Sequence, residues 1–132
     1  MTFQFHVNAG SDTPIYRQIT DQVRMAVATG KLAVGDQLPS LRTLAESLVI
    51  NPNTVARAYA DLTREGLIES QAGRGIFVAR KRRIFTREEG WRRLEPLLDS
   101  LIGQALTMDF SPEELRSAFE KKLSLWQNKK KR

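Results

Sequence analysis

A short stretch near the middle of the chain carries side chains that can read the edges of nucleic-acid bases. Asn51, Pro52, Asn53 and Thr54 follow one another, and Arg57 comes three residues later. An asparagine amide can form two hydrogen bonds with adenine, and an arginine guanidinium can form two with guanine. A threonine can bond a phosphate or touch a thymine methyl. These residue types in this order predict contact with duplex DNA.

Each of these residues also has a simpler structural interpretation. Asn51 suits the cap of a helix, so capping is its main expected role and base contact is the alternative. Asn53 and Thr54 could do no more than satisfy amides of the first helical turn. Arg57 could be an ordinary solvated side chain, although its neighbours favour a DNA contact.

Three further residues could take part in the same chemistry. Arg42 lies near the start of an expected helix, where it could reach a backbone phosphate or a base edge. Gly73 permits close approach to DNA, and Arg74 supplies charge for a phosphate or for the minor groove. Because any tight hairpin needs glycines, Gly73 alone decides nothing.

Helix signals flank the base-reading stretch. Apolar residues at helical spacing predict a helix over about residues 14–29. Ser40 is a good cap for a helix over about 41–48, and Asn51 caps a third over about 52–65. The third helix has one face for the core, formed by Val55, Ala58, Tyr59 and Leu62. Its opposite face carries only small or polar side chains, which leaves it open to a groove.

Short strands are expected on either side of these helices. Residues 67–70 and 76–78 read as two strands, and the glycine-containing segment 71–75 joins them as a hairpin. The alternation of apolar and polar residues over 3–7 predicts a short half-buried strand, with His6 as a solvated member. Two short helices with a tight turn, followed by a hairpin, are the element order of a winged helix-turn-helix. The expected fold is therefore mainly α with a small β wing.

The last part of the chain reads as two helices, over about 86–107 and 112–126. Their apolar residues outnumber what a two-helix hairpin can bury, so we expect them to pair with a second copy of the chain. The expected dimer interface contains Trp91, Leu94, Leu98, Leu101, Leu115, Phe119 and Trp126. Pro96 requires either a kink or a helix that starts near it.

A basic run, residues 80–83, marks the expected domain boundary. We predict a winged helix-turn-helix domain over 1–80, with its core in 12–80. A short helical dimerisation segment with a basic tail then covers 81–132. Residues 1–80 carry eight Lys and Arg against seven Asp and Glu, whereas 81–132 carry thirteen against eight. Charge alone therefore does not mark the first domain as the DNA reader, and that prediction depends on its motifs.

The composition excludes several classes of protein. The 132 residues include no cysteine and one histidine, so disulfides and Cys-rich zinc sites are excluded and we expect neither a metal nor a cofactor. No phosphate-cradling loop or evident catalytic carboxylate pair is present, and no enzyme is predicted. Apolar runs fall short of the roughly 20 residues of a membrane span. The start of the chain does not read as a signal peptide, so we expect a cytoplasmic protein without a membrane partner.

Residues 12–80 resemble the GntR family of bacterial regulators, and within it the short YtrA-like subfamily. The matching segments are 14–16, 18–19, 30–32, 35–40, 42, 44–45, 51–55, 57–59, 62, 65–68, 73–75 and 77–78. The resemblance implies a dimeric repressor on a palindromic operator. It implies DNA contacts at Arg42, at the segment 51–54 and at the wing residues Gly73 and Arg74. Members of this subfamily often control transporter operons.

One departure from the family pattern affects base reading. Many relatives have arginines where this chain has Pro52 and Ala56. Asn53, Thr54 and Arg57 must then carry more of the recognition. Two alternatives remain: a non-specific nucleic-acid-binding module that uses the basic segments 80–83 and 129–132, or a winged-helix protein-interaction module. The sequence leaves open whether a small-molecule effector exists.

Overall fold

The computed structural model describes residues 3–80 and 85–130, with side chains described as far as residue 127. The chain divides into two compact units, one running to residue 82 and the other from 83 to 129. The first unit contains, in order, α1 (Ile15–Ala28), β1 (Gln37–Leu38), α2 (Leu41–Leu48), α3 (Pro52–Arg64), β2 (Ile68–Gln71) and β3 (Gly75–Val78). The three predicted helices and the hairpin are confirmed.

Side-chain caps define where α2 and α3 begin. The Ser40 hydroxyl accepts a hydrogen bond from the Thr43 amide at 3.1 Å, which starts α2. Asn51 does the same for α3, because its side-chain oxygen accepts from the Asn53 amide at 2.8 Å. Pro52 occupies the first helical position, where its missing N–H costs nothing. The short turn between α2 and α3 therefore follows from the local sequence.

The sheet has three antiparallel strands in the order β1-β3-β2. Ile68 is opposite Val78 and Gln71 opposite Gly75, which makes β2 and β3 the predicted hairpin. The strand β1 was not among the predicted strands, since a residue before a proline indicates only extended backbone. It pairs Gln37 with Phe77 and so adds a third strand on the far side of β3.

Apolar side chains from all three helices and the sheet form one core. Its buried members are Phe5, Ile19, Val23, Ala26, Leu32, Leu38, Leu44, Ala45, Val55, Ala58, Tyr59, Leu62, Ile68 and Val78. The predicted inner face of α3 is thus confirmed. At the edge of this core, Arg24 of α1 donates two hydrogen bonds to Glu65, at 3.0 and 2.5 Å. The bonds to Glu65 raise the pKa of the Arg24 guanidinium, so this link between α1 and the end of α3 stays charged.

The prediction of a strand over residues 3–7 is wrong. Phe5 is buried as the alternation required, but the backbone pairs with side chains of α1 and not with another strand. The Gln22 amide accepts from the His6 N–H at 3.0 Å and donates to the His6 carbonyl. Gln18 bonds both backbone groups of Asn8, at 2.8 and 2.9 Å. Glutamine side chains on a helix therefore take the place of a neighbouring strand.

The second unit consists of α4 (Arg87–Thr107) and α5 (Pro112–Lys130), as predicted. Thr86 and Glu89 form a reciprocal capping box at the start of α4. The helix begins there and continues past Pro96. Among residues 85–127, Ala105 alone is buried, while the large apolar side chains of both helices are mostly exposed. In the part of the chain described here, no helix is long and apolar enough to cross a bilayer.

Candidate nucleic-acid interface

The leading end of α3 is exposed. Asn51, Pro52 and Asn53 are open to solvent, Thr54 is half-buried, and Arg57 is exposed one turn further on. The Asn51 side-chain oxygen is engaged as the cap, which is the role expected first for this residue. The Asn53 and Thr54 amides are bonded to Asn51, so contact with phosphates and base edges at this end falls to exposed side chains.

Arg57 has a partner that the sequence did not indicate. Its guanidinium carbon lies 3.7 Å from the centre of the Tyr16 ring, which belongs to the first turn of α1. The distance is that of two groups in van der Waals contact, well inside the roughly 6 Å limit of a cation–π interaction. Arg57 is therefore exposed to a ligand yet already placed by the fold.

Arg42 lies beside the start of α3. It is the second residue of α2 and is exposed. Together with Asn51 and Pro52 it lines one shallow surface groove, to which Glu46 adds a negative charge. The structure thus brings together Arg42 and the cap of α3, which the sequence placed nine residues apart.

The wing presents Arg74 at its tip, and two neighbouring residues shape it. Gly73 has a φ of +75°, which closes the turn, and the Arg74 amide donates to the Gln71 carbonyl at 2.9 Å. Gln37 of β1 donates its side-chain amide to the Arg74 carbonyl at 3.2 Å. A side chain at Gly75 would meet that amide, since a Cβ there would lie 2.6 Å from the Gln37 nitrogen.

Sequence reasoning missed Gln37 because its role depends on β1 pairing with β3. The Arg74 guanidinium also lies 5.5 Å from the centre of the Phe77 ring, near the outer limit of a cation–π contact. Arg74 is thus placed more loosely than Arg57. The one local signal is Pro39, which favours extended backbone at the residue before it, and that signal does not indicate a pairing partner.

The residues predicted for a dimer interface are accessible in the second unit. Trp91, Leu94, Leu98, Leu101, Phe119 and Trp126 are exposed, and Leu115 is half-buried. Four of the seven (Leu98, Leu101, Leu115 and Phe119) line one apolar groove between α4 and α5. The other three lie outside that groove.

Three helices followed by a β hairpin, with the third helix exposed at its leading end, define a winged helix-turn-helix, a class of DNA-binding domain. Residues 15–78 match the family described as bacterial regulatory proteins, gntR family. The chain is 38% identical over 99 residues to the HTH-type transcriptional repressor YtrA of Bacillus subtilis, covering 75% of this chain and 76% of that protein. It belongs to the GntR family, among its YtrA-like members, and is a sequence-specific DNA-binding transcription regulator.

Solved structures agree with this assignment. A transcriptional antiterminator from Listeria monocytogenes EGD-e superposes with a TM-score of 0.80 at 28% identity, over 90% of this chain and 89% of that one. YtrA from Sulfolobus acidocaldarius, a GntR-family transcription factor, is 36% identical with a TM-score of 0.53, over 91% and 97% of the two chains. The first similarity includes both units of the chain, so the fold class predicted from sequence is confirmed.

Proposed function

We propose that this regulator is a repressor that binds a palindromic operator as a homodimer and reads bases with the leading end of α3. One observation carries the proposal: Asn53 and Arg57 are exposed on the face of α3 opposite its buried residues. Such a face fits the major groove, which is about 12 Å wide and admits one helix. A repressor acts on the chromosome, so the proposal includes a cytoplasmic location.

The remaining predicted contacts have supporting roles in this proposal. Thr54 contacts a phosphate or a thymine methyl. Arg42, beside the start of α3, binds a phosphate of the DNA backbone or a base edge. Gly73 lets the wing approach the duplex, and Arg74 binds phosphate or the minor groove. Asn51 remains mainly a cap, because its oxygen is already occupied.

In the proposal, the two units have separate functions. Residues 1–80 bind DNA, and 81–132 hold two copies together through the apolar surface of α4 and α5. Two such domains reach half-sites about one helical turn, or 34 Å, apart. Linking them makes the second contact intramolecular, which raises affinity without any new contact.

The test begins with selection of bound fragments from genomic DNA, which yields an operator. Arg57→Ala is then compared with the parent on that operator and on single base-pair variants of it. We expect a loss of about 1–3 kcal/mol on the operator and a relaxed preference at one base pair in each half-site. Arg92→Ala is the control, because it removes the same charge from an exposed position of α4 that belongs neither to the proposed DNA-binding residues nor to the predicted dimer interface.

Two results would count against the proposal. If Arg57→Ala keeps both affinity and preference, Arg57 does not read bases. If random DNA competes as well as the selected fragments, with a slope near −0.9 per phosphate against salt, the chain is a non-specific binder.

A further inference from the structure

The contact between Arg57 and Tyr16 has a consequence for recognition. Two planar groups 3.7 Å apart have the spacing of a stacked pair. A stacked guanidinium uses its face, whereas all five of its N–H donors point outward in its plane. Those are the groups that bind the O6 and N7 acceptors of guanine. The ring therefore restrains Arg57 without occupying the donors that recognition needs.

The alternative partners of Arg57 are taken by other residues. Asp61 lies four residues after Arg57 on α3, at the right spacing for an ion pair. It instead bonds Arg64. Glu65 bonds Arg24 of α1. Within residues 3–80, no side-chain hydrogen bond or ion pair uses the Arg57 guanidinium, so its charge is not neutralised before DNA arrives.

The packing of α1 on α3 determines where the Tyr16 ring lies. Arg24 and Glu65 lie eight residues after Tyr16 and Arg57, respectively. Their two hydrogen bonds therefore hold the same register between the helices at the other end of the contact. Ile19 and Val23, which lie between Tyr16 and Arg24 along α1, are fully buried. The ring is half-buried, and its helix is held against α3 by the two hydrogen bonds between Arg24 and Glu65.

We propose that Tyr16 is a positioning residue for base recognition: it holds the Arg57 guanidinium in a conformation ready for a guanine and thereby sharpens base preference. An unrestrained arginine loses side-chain entropy when it binds, and a placed one loses less. This inference rests on the proposed function, since it needs Arg57 to read a base.

A double-mutant cycle tests the proposal with the full-length protein. Affinities are measured for the selected operator and for the variant that Arg57→Ala no longer rejects. Tyr16→Leu removes the ring and is expected to reduce this preference about two- to tenfold, the range of a partly exposed cation–π contact. Tyr16→Phe keeps the ring and should retain the preference. In the Arg57→Ala background, Tyr16→Leu should have no further effect.

Three outcomes would overturn the proposal. Tyr16→Leu could leave the preference intact while Arg57→Ala relaxes it, which rejects the role of Tyr16 alone. Tyr16→Leu could cost as much without Arg57 as with it, which means that Tyr16 acts by another route. Arg57→Ala could itself leave the preference unchanged, which rejects the reading role of Arg57 and this inference together.

A measurement on the unmutated protein covers the case in which Tyr16→Leu does not fold. Side-chain protons of Arg57 that lie over an aromatic ring are shifted upfield in the NMR spectrum. Their signals are identified by their absence in Arg57→Lys. An upfield shift in the free protein supports the proposal, and random-coil positions overturn it.

Discussion

At the scale of single residues, the two arginines proposed to bind DNA differ in how firmly they are placed. Arg57 is in contact with an aromatic ring at 3.7 Å, whereas Arg74 lies 5.5 Å from one at the tip of a hairpin. A firmly placed donor can discriminate between bases, because a wrong base cannot be accommodated by a small movement. A loosely placed cation can bind phosphates, because the phosphate groups of DNA do not differ from one base sequence to another.

Arg74→Ala should therefore weaken binding to all DNA sequences alike. Loss of one phosphate contact is expected to reduce the slope of log affinity against log salt by about 0.9. Titrations at several salt concentrations, with operator and random DNA, measure both effects. Arg92→Ala, at an exposed position of α4 outside the predicted dimer interface, changes the net charge equally and is the control. A loss confined to the operator would mean that Arg74 reads bases.

Val49 is strained in the turn between α2 and α3. It has a φ of 56° and a ψ of 53°, in the left-handed region, and 88% of its surface is exposed. For a β-branched residue this conformation costs about 1–2 kcal/mol. Glycine removes that cost but is more flexible when unfolded, by roughly 0.4–1 kcal/mol. Val49→Gly is thus expected to raise the free energy of unfolding by up to about 1 kcal/mol.

Urea denaturation measures this effect, and Val34→Gly is the matched control. Val34 is also exposed and lies in a loop, but it is not among the positive-φ residues of the described chain. Its replacement should lower stability or leave it unchanged. Equal effects of the two substitutions would show that the turn is not strained by valine.

At the scale of elements, the segment around β1 connects the parts of the interface. Gln37 bonds the wing, and the carbonyl of Pro39 accepts a hydrogen bond from the Tyr59 hydroxyl at 2.8 Å. Tyr59 belongs to α3, and Pro39 comes just before α2. The chain therefore places the start of α2 on α3 through a side chain. In the proposed complex with DNA, this contact helps to set the orientation of α2 relative to α3.

Tyr59→Phe should lower the free energy of unfolding by about 0.5–1.5 kcal/mol at neutral pH, because it removes this hydrogen bond. Burial also raises the pKa of the Tyr59 hydroxyl above its ordinary value. An unfolded tyrosine ionises near pH 10, whereas the folded one stays protonated. The contribution of Tyr59 is thus complete below about pH 10 and declines above it.

Urea denaturation between pH 8 and pH 11 measures both parts of this prediction. The parent protein should lose stability toward high pH more steeply than Tyr59→Phe, which has no phenol to ionise at this position. If the free energy of unfolding falls equally with pH in the two proteins, the buried hydroxyl does not cause the loss of stability at high pH.

At the scale of the whole molecule, the second unit exposes large apolar side chains that a folded protein normally buries. Leu98, Leu101 and Phe119 leave more than a third of their surface exposed, although they line a common groove. Exposed apolar patches of this kind on a regular helical pair mark contacts with another protein surface. A second copy of the same unit provides such a surface by symmetry.

Leu101→Glu should convert the protein to a monomer and weaken operator binding at least about tenfold, through loss of the linked second half-site. Size-exclusion chromatography with light scattering, at micromolar concentration, reports the mass, and titration reports the affinity. Gln104→Glu adds the same charge to the same helix at an exposed polar position and should remain dimeric. A monomeric parent protein would reject the proposed dimer.

The sequence by itself determined α2, α3 and the wing, because their signals are local. Ser40, Asn51 and Pro52 begin helices through contacts within a few residues, and the glycines of the hairpin set its turn. The exposed face of α3 followed in the same way, since a period of 3.6 residues separates the two sides of a helix.

Only the tertiary structure decided what lies beneath and beside those residues. Tyr16 under Arg57 and Gln37 against the wing are contacts between segments far apart in the chain. The alternation over 3–7 correctly placed Phe5 inward, but it could not show that glutamines of α1 would pair with the backbone. Periodicity records which side of an element is buried; the partner depends on how the elements pack.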